Sequence, residues 1–222
     1  MKSLKLTLAA SALALAAGSA HADVILRTGV DGGDAVLAAG ALDPFWDISV
    51  DGGTTYSDAK VAYPAQICCG MATAGPNAAW ITDPSVTAGS SSTSWGVGNT
   101  VFLTRTFDLS GYDIDSVAMS GIWRVADNSV GIYINGNLVP GTTINTTWGS
   151  DFAISVLAGS GYFTNGINTI EMRGSSINST WDAFWLDALV TGDSGEVPEP
   201  AALGLFGLGM LGLLAARRRR RK

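Results

Sequence analysis

The residues of this sequence that could do chemistry are carboxylates and indole rings. The chain of 222 residues has 19 acidic residues, seven tryptophans, two cysteines and one histidine, His21. Paired carboxylates can share acid and base roles in glycoside hydrolysis, and a flat indole ring can lie against the apolar face of a sugar. His21 falls in a segment that we expect to be removed, which excludes histidine-dependent triads and histidine metal sites in the mature chain.

The aspartates mostly stand in turn contexts. Asp31-Gly32-Gly33-Asp34 and Asp51-Gly52-Gly53 have the composition of turns, and no motif names a nucleophile or an acid/base pair. We therefore expect no enzyme and no required cofactor, with a carboxylate-dependent carbohydrate-active hydrolase as an alternative. Asp31 and Asp34 are the candidate ligands for a structural Ca²⁺, although no EF-hand loop is present.

Three tryptophans have polar neighbours and are the candidate sugar contacts: Trp95, Trp148 and Trp181. Asp127 and Asn128 form a polar pair that we add to the candidate ligand-binding residues and expect in a turn. The alternative is that each of the three rings caps an open end of the core. The remaining tryptophans lie in or beside apolar runs and are predicted core residues: Trp46, Trp80, Trp123 and Trp185.

Cys68 and Cys69 are adjacent, so they cannot join distant parts of the fold. In an oxidising compartment they favour a vicinal disulfide, which is strained because neighbouring Cα atoms are only about 3.8 Å apart. We expect a local kink, with an apolar face for a sugar as the alternative.

Both ends of the chain have the composition of targeting segments. Residues 1–22 combine lysines, an apolar run and a small-x-small site at Ala20 and Ala22, the layout of a secretory signal peptide. Residues 191–200 form a polar linker, residues 201–216 an uncharged helix of about 24 Å that can span a membrane, and residues 217–222 a basic tail that stays cytoplasmic. The domain at 23–190 is therefore predicted to face outward.

The C-terminal pattern resembles the PEP-CTERM sorting signal. Its parts are an extended Pro motif, a Gly-rich apolar helix and a terminal arginine cluster. The residues that carry the resemblance are Val197, Pro198, Glu199, Pro200, Arg217, Arg218, Arg219, Arg220 and Arg221. The resemblance implies processing by an exosortase, a membrane enzyme of Gram-negative bacteria that also make extracellular polysaccharide, and delivery to the cell surface or the extracellular space.

The charge of the body excludes nucleic acid as a partner. Between the cationic ends, five basic residues face 19 acidic ones, a net charge of −14. This charge repels phosphate backbones and anionic membranes.

The body is predicted to be all-β. Short alternating runs separated by Gly, Asn, Asp and Ser indicate an antiparallel β-sandwich or jelly roll. In residues 101–109, Val101, Leu103, Phe107 and Leu109 share one face, and Asn135-Gly136 predicts a type I′ hairpin. The predicted strands are 24–28, 45–50, 80–82, 101–109, 116–125, 130–135, 152–157, 168–173 and 184–191.

Two longer runs, W-R-V-A-D-N-S-V-G-I-Y-I-N-G at 123–136 and N-G-I-N-T-I-E-M-R at 165–173, resemble the galactose-binding-like domain found ahead of PEP-CTERM signals. This resemblance implies a jelly-roll-type fold and, in some relatives, carbohydrate binding on loops. We therefore expect a non-catalytic exported protein that contacts polysaccharide. A self-associating structural matrix protein is a further alternative.

Overall fold

Strands with alternating buried and exposed side chains make up most of the domain. The computed structural model describes residues 23–67, 75–90, 95–126, 128–145, 149–177 and 182–195. Within these ranges the helices are two short 3-10 turns, Pro64–Gln66 and Ile114–Ser116. The strands are β1 (Val24–Arg27), β2 (Leu42–Ser49), β3 (Ser57–Val61), β4 (Ile81–Thr82), β5 (Thr100–Asp108), β6 (Ala118–Ala126), β7 (Asn128–Ile134), β8 (Asn137–Leu138), β9 (Phe152–Val156), β10 (Ile167–Ser175) and β11 (Ala183–Thr191). The expected all-β architecture is confirmed.

The strands form two layers joined along one side. Hydrogen bonds connect them in the order β8-β7-β10-β5-β2-β3-β4-β11-β6-β9, and β1 also pairs with β11. Every ladder between strands is antiparallel. β10 faces β6 and β11 across the interior, since a Cβ at Gly174 would lie 2.7 Å from Val125 and 3.1 Å from Phe184. The fold is thus an antiparallel sandwich in which β3 and β4 connect the layers.

The core lies between these layers and follows the predicted alternation. In β5, Val101, Leu103 and Phe107 point inward and are buried, as is Leu109 just beyond the strand. Ile170 and Met172 continue the same inner face on β10. The next strand positions on the other face, including Phe102 and Arg173, remain half-exposed. One face of β5 and β10 therefore builds the core and the other faces solvent.

The predicted hairpin at Asn135-Gly136 is confirmed. Both residues have positive φ, 50° and 78°, as a type I′ turn requires. The turn pairs Ile134 with Asn137 in β8. The Asn135 side chain also donates to Asn168 Oδ1 at 2.7 Å and accepts from the Thr169 amide at 2.9 Å, which fixes the turn against β10.

One local prediction is wrong, and two strands were not predicted. Asn128 begins β7 and pairs with Ser175, so the turn predicted there is wrong: the chain instead crosses from β6 in one layer to β7 in the other. β3 was missed because only Ala59 and Val61 are apolar and buried in it. β8 was missed because two residues carry no detectable alternation.

Several strands begin or end at the same end of the sandwich. Thr100 at the start of β5 pairs with Ser175 at the end of β10, and Ser175 also pairs with Asn128. In the other layer Ala126 at the end of β6 pairs with Ala183 at the start of β11. The loops at this end therefore converge, although they are far apart in sequence. Over the described ranges, no helix is long and apolar enough to cross a membrane.

Candidate functional site: a groove beside an aromatic face

A groove opens where β2 ends and β5 begins. Its volume is about 460 Å³, within the range of small-ligand sites. One wall comes from the turn after β2 and the other from the loop that leads into β5. We call it the Phe102 groove, and its lining residues are Val50, Asp51, Gly52, Gly98, Asn99, Thr100 and Phe102.

The first wall is a turn organised by Asp51. The Asp51 carboxylate accepts hydrogen bonds from the Thr55 hydroxyl at 2.6 Å, the Thr55 amide at 2.9 Å and the Ser49 hydroxyl at 2.7 Å. These bonds, with those of Thr55 the largest cause, hold the pKa of Asp51 far below its usual range. Gly52 permits the turn because its φ is +75°. The groove thus has a fixed, ionised carboxylate at its rim.

The second wall is held by the residues just before β5. Asn99 Nδ2 donates to the Trp95 carbonyl at 2.9 Å, and the Trp95 amide donates to Asp182 Oδ2 at 2.7 Å. Gly96 and Gly98 both have positive φ, which lets the chain curl around the Asn99 side chain. This wall is therefore built on backbone anchored to the start of β11.

A stack of two aromatic rings and a guanidinium lies beside the groove, on the outer side of β5, β10 and β7. The Arg173 guanidinium carbon lies 4.9 Å from the Phe102 ring centre and 3.9 Å from the Tyr133 ring centre. Arg173 Nε also donates to Glu171 Oε1 at 2.6 Å. We call Phe102, Arg173 and Tyr133 the ring stack; its rings and planar cation offer a contact surface with hydrogen-bonding groups at its edge.

Further acidic groups lie on the same outer face. Asp47 of β2 pairs in register with Asp58 of β3 and with Thr104 of β5. Burial, and then the like charge of Asp58, raises the pKa of Asp47. Tyr56, 43% exposed, has its pKa raised by burial and by Glu171. The face is thus aromatic at its centre and acidic at its margin.

The predicted ligand-binding residues converge on this end of the sandwich only in part. Trp95 is 4% exposed and its ring stacks on Phe184 at 4.7 Å, so its side chain belongs to the core while its backbone forms the loop beside the groove. Asn128 lies opposite Ser175 at the same end. Asp127, Trp148 and Trp181 lie outside the described residues, and their ligand-binding role stays a prediction.

Other predicted sites also fall outside the described residues. They are the cysteines Cys68 and Cys69, the cleavage site at Ala20 and Ala22, and the sorting residues Val197, Pro198, Glu199, Pro200 and Arg217 to Arg221. The predicted calcium ligands are described. Asp34 forms an ion pair with Arg27, and Asp31 Oδ1 accepts from the Gly33 and Ala35 amides at 2.8 and 3.0 Å. No cluster of three acidic, cysteine or histidine ligands occurs in the described part of the chain; calcium binding stays a prediction.

The groove and the ring stack were missed from the sequence. Phe102 stands among Thr100, Thr104 and Thr106 on the outer face of β5, and an aromatic residue on a polar strand face was a usable signal. Arg173 and Tyr133 gave no signal in the sequence, because only the register between β10 and β7 brings these two residues together.

The comparison with protein families concerns the C-terminus. Residues 196–221 match the PEP-CTERM protein-sorting motif. The sorting motif expected from the sequence is thereby confirmed, and it implies an exported protein, processed by an exosortase and delivered to the cell surface or the extracellular space.

The comparisons with whole proteins give only distant similarities. No curated protein matches the chain. A family 35 carbohydrate-binding module from Clostridium thermocellum is similar at 12% identity and a TM-score of 0.36, covering 78% of this chain and 99% of the module. An isomalto-dextranase of Arthrobacter globiformis T6, complexed with panose, is 12% identical with a TM-score of 0.34, covering 76% of this chain and 23% of the enzyme. At this level of similarity, neither the binding site nor the ligand of these proteins can be assigned to this chain.

Proposed function

We propose that this protein is an exported, exosortase-processed surface protein whose β-sandwich contacts polysaccharide without catalysis. The Phe102 groove and the ring stack carry the proposal: a concave site is lined by an aromatic ring, and this ring belongs to a stack of two rings and a guanidinium. An aromatic ring in a groove can contact the apolar face of a sugar, and the neighbouring amide and carboxylate groups can bond sugar hydroxyls.

The remaining parts of the proposal concern delivery and partners. The signal peptide at 1–22 directs export, the apolar helix at 201–216 anchors the chain before processing, and the Gram-negative exosortase acts at the sorting motif. The domain is of the galactose-binding-like jelly-roll type. The net charge of −14 between the termini favours uncharged polymers over nucleic acid.

The test is retention of the processed, secreted protein in gels that contain amylose, cellulose, xylan, galactan or mannan. We expect retarded migration with at least one polymer, and Phe102→Ala to weaken its binding ~10-fold, the loss typical of a central aromatic contact. Val50→Arg fills the groove from an exposed position, so it tests the site without removing packing. The control is Leu157→Ala, at a residue that is 72% exposed and outside the groove. The proposal is overturned if none of the polymers retains the protein, or if Phe102→Ala and Val50→Arg are retained as strongly as the control Leu157→Ala.

A further inference from the structure

The second layer ends in a strand whose outer edge is unpaired. β9 is hydrogen-bonded to β6 from Phe152 to Val156 without any shift of register. On its other side, no strand pairs with it within the described ranges. Such an edge presents a row of backbone donors and acceptors that can pair with another chain.

β9 has none of the side chains that usually protect an edge. Its sequence, Phe-Ala-Ile-Ser-Val, contains no charge, no proline and no glycine. Ala153 and Ser155 face solvent, and both are small. Ile154 and Val156 point into the core. Edges are normally blocked by lysine, proline or a bulge, so no side chain of β9 itself blocks a partner strand sterically or by charge.

The strand is complementary to a second copy of itself. Antiparallel pairing about Ile154 sets Phe152 of one copy opposite Val156 of the other, so apolar inner-face residues meet across the junction. The same register sets Ala153 opposite Ser155 on the outer face. Asp151, already paired with Arg124, comes opposite the apolar Leu157 rather than another acid. Although each body has a charge of −14, no acidic side chain of one copy therefore lies opposite an acidic side chain of the other at this junction.

The strand order favours a closed dimer over an open filament of many copies. β9 and β8 are the two ends of the hydrogen-bonded path, and β8 has only two residues. An isologous β9–β9 contact uses one surface on both copies and closes after two. Head-to-tail growth would need β8, with two residues, or β1, which has four and among the described strands pairs only with β11, to pair over the same length as β9.

We propose that β9 pairs antiparallel with β9 of a second copy of this chain, forming a twofold dimer with one continuous β-layer. Five residues a side give a weak contact, which delivery to a crowded surface would populate through high local concentration. Because both bodies are anionic, salt strengthens the contact.

The test is the mass of the processed, secreted protein by sedimentation equilibrium, measured against concentration and salt. We expect a monomer–dimer equilibrium that shifts toward dimer as salt rises. Ser155→Lys places like charges near the twofold axis and should raise the dissociation constant about 5-fold. The control Thr106→Lys adds the same charge to an exposed position on β5, a strand paired on both sides, and should dimerise like the parent.

A second measurement locates the contact. Hydrogen exchange of the amides at 152–156 should slow as concentration rises, while exchange in β8 stays unchanged. A protein that is monomeric at millimolar concentration overturns the proposal. So does an assembly larger than a dimer, a dimer that Ser155→Lys leaves intact, or a dimer without added protection in β9.

Discussion

The Arg173 guanidinium carbon lies 3.9 Å from the centre of the Tyr133 ring, directly beside the Phe102 groove. The register of β10 with β7 places Arg173 beside β7, the strand that contains Tyr133. The register of β10 with β5 places Arg173 opposite Phe102. Glu171 holds the guanidinium from one side at 2.6 Å. The planar cation therefore joins two rings from different strands into one surface.

Replacing Arg173 by lysine tests this arrangement. Lysine keeps the charge but loses the planar group that stacks on both rings. We expect Arg173→Lys to lower the free energy of unfolding by about 1 kcal/mol and to weaken sugar retention, as measured by urea unfolding and gel retardation. The matched control is Arg27→Lys, which is ion-paired with Asp34 and Asp187 at a different part of the fold. Its sugar retention should equal that of the parent, and equal retention in Arg173→Lys would contradict the role of the ring stack.

The close pairing of β6 with β11 depends on Gly121. A Cβ at Gly121 would lie 2.5 Å from the Ala188 Cα, so Gly121→Ala must push two central strands apart. We expect a loss of about 1–3 kcal/mol in the free energy of unfolding, measured by urea denaturation. Gly32→Ala is the control, since nothing lies within 4 Å of its added methyl group. Equal stability of the two variants would show that β6 and β11 are not this closely paired.

Asp47 and Asp58 predict a pH dependence of stability. Burial and the Asp58 charge raise the folded-state pKa of Asp47 above the ordinary value of 3.8. Folding therefore binds extra protons there, and the stabilisation from this group is complete below pH 3.8 and lost as pH rises through the raised pKa. Asp58→Asn removes the like charge, so the free energy of unfolding should rise relative to the parent at neutral pH and be unchanged in acid.

The control for this pair is Asp23→Asn, which changes the net charge equally at an exposed position before β1. Urea unfolding at several pH values measures both variants, and carbon NMR of the carboxyl groups reports the pKa of Asp47 directly. The account fails here if Asp58→Asn leaves that pKa unmoved.

Processing at both ends predicts a defined mature protein. We expect cleavage after Ala22 to leave Asp23 as the N-terminus, and exosortase processing to remove the basic tail at 217–222. Mass spectrometry of the secreted protein should therefore find neither terminal segment. A secreted protein that retains both segments would contradict the export route.

Local patterns predicted much of the fold. The alternation in β5 identified its buried face because each inward position there is apolar except Arg105, and Asn135-Gly136 identified its hairpin because few residues tolerate two positive φ angles in succession. β3 escaped prediction because it is polar and short. Asn128 misled because Asn favours turns locally, whereas its pairing with β10 is decided by contacts distant in sequence.

The site was harder to predict than the fold because register brings its parts together. Trp95 stood out in a polar segment, yet Phe184 and Asp182, nearly ninety positions away, hold it in the core. Of the two rings that do lie on the outer face, Phe102 stood out on a polar strand face, whereas Tyr133 looked like an ordinary strand residue. The sequence alone identifies the aromatic residues. It does not tell which of them face solvent, or which become neighbours on the same face of a layer.

The most direct test of the account is a titration of the isotope-labelled, processed protein with oligosaccharides of the retained polymer, followed by backbone amide NMR. The account predicts chemical-shift changes concentrated at Gly52, Gly98, Asn99 and Thr100, with Phe102 and Arg173 following at the same saturation. Shifts concentrated instead in the β1–β2 loop around Asp31 and Asp34 would contradict it.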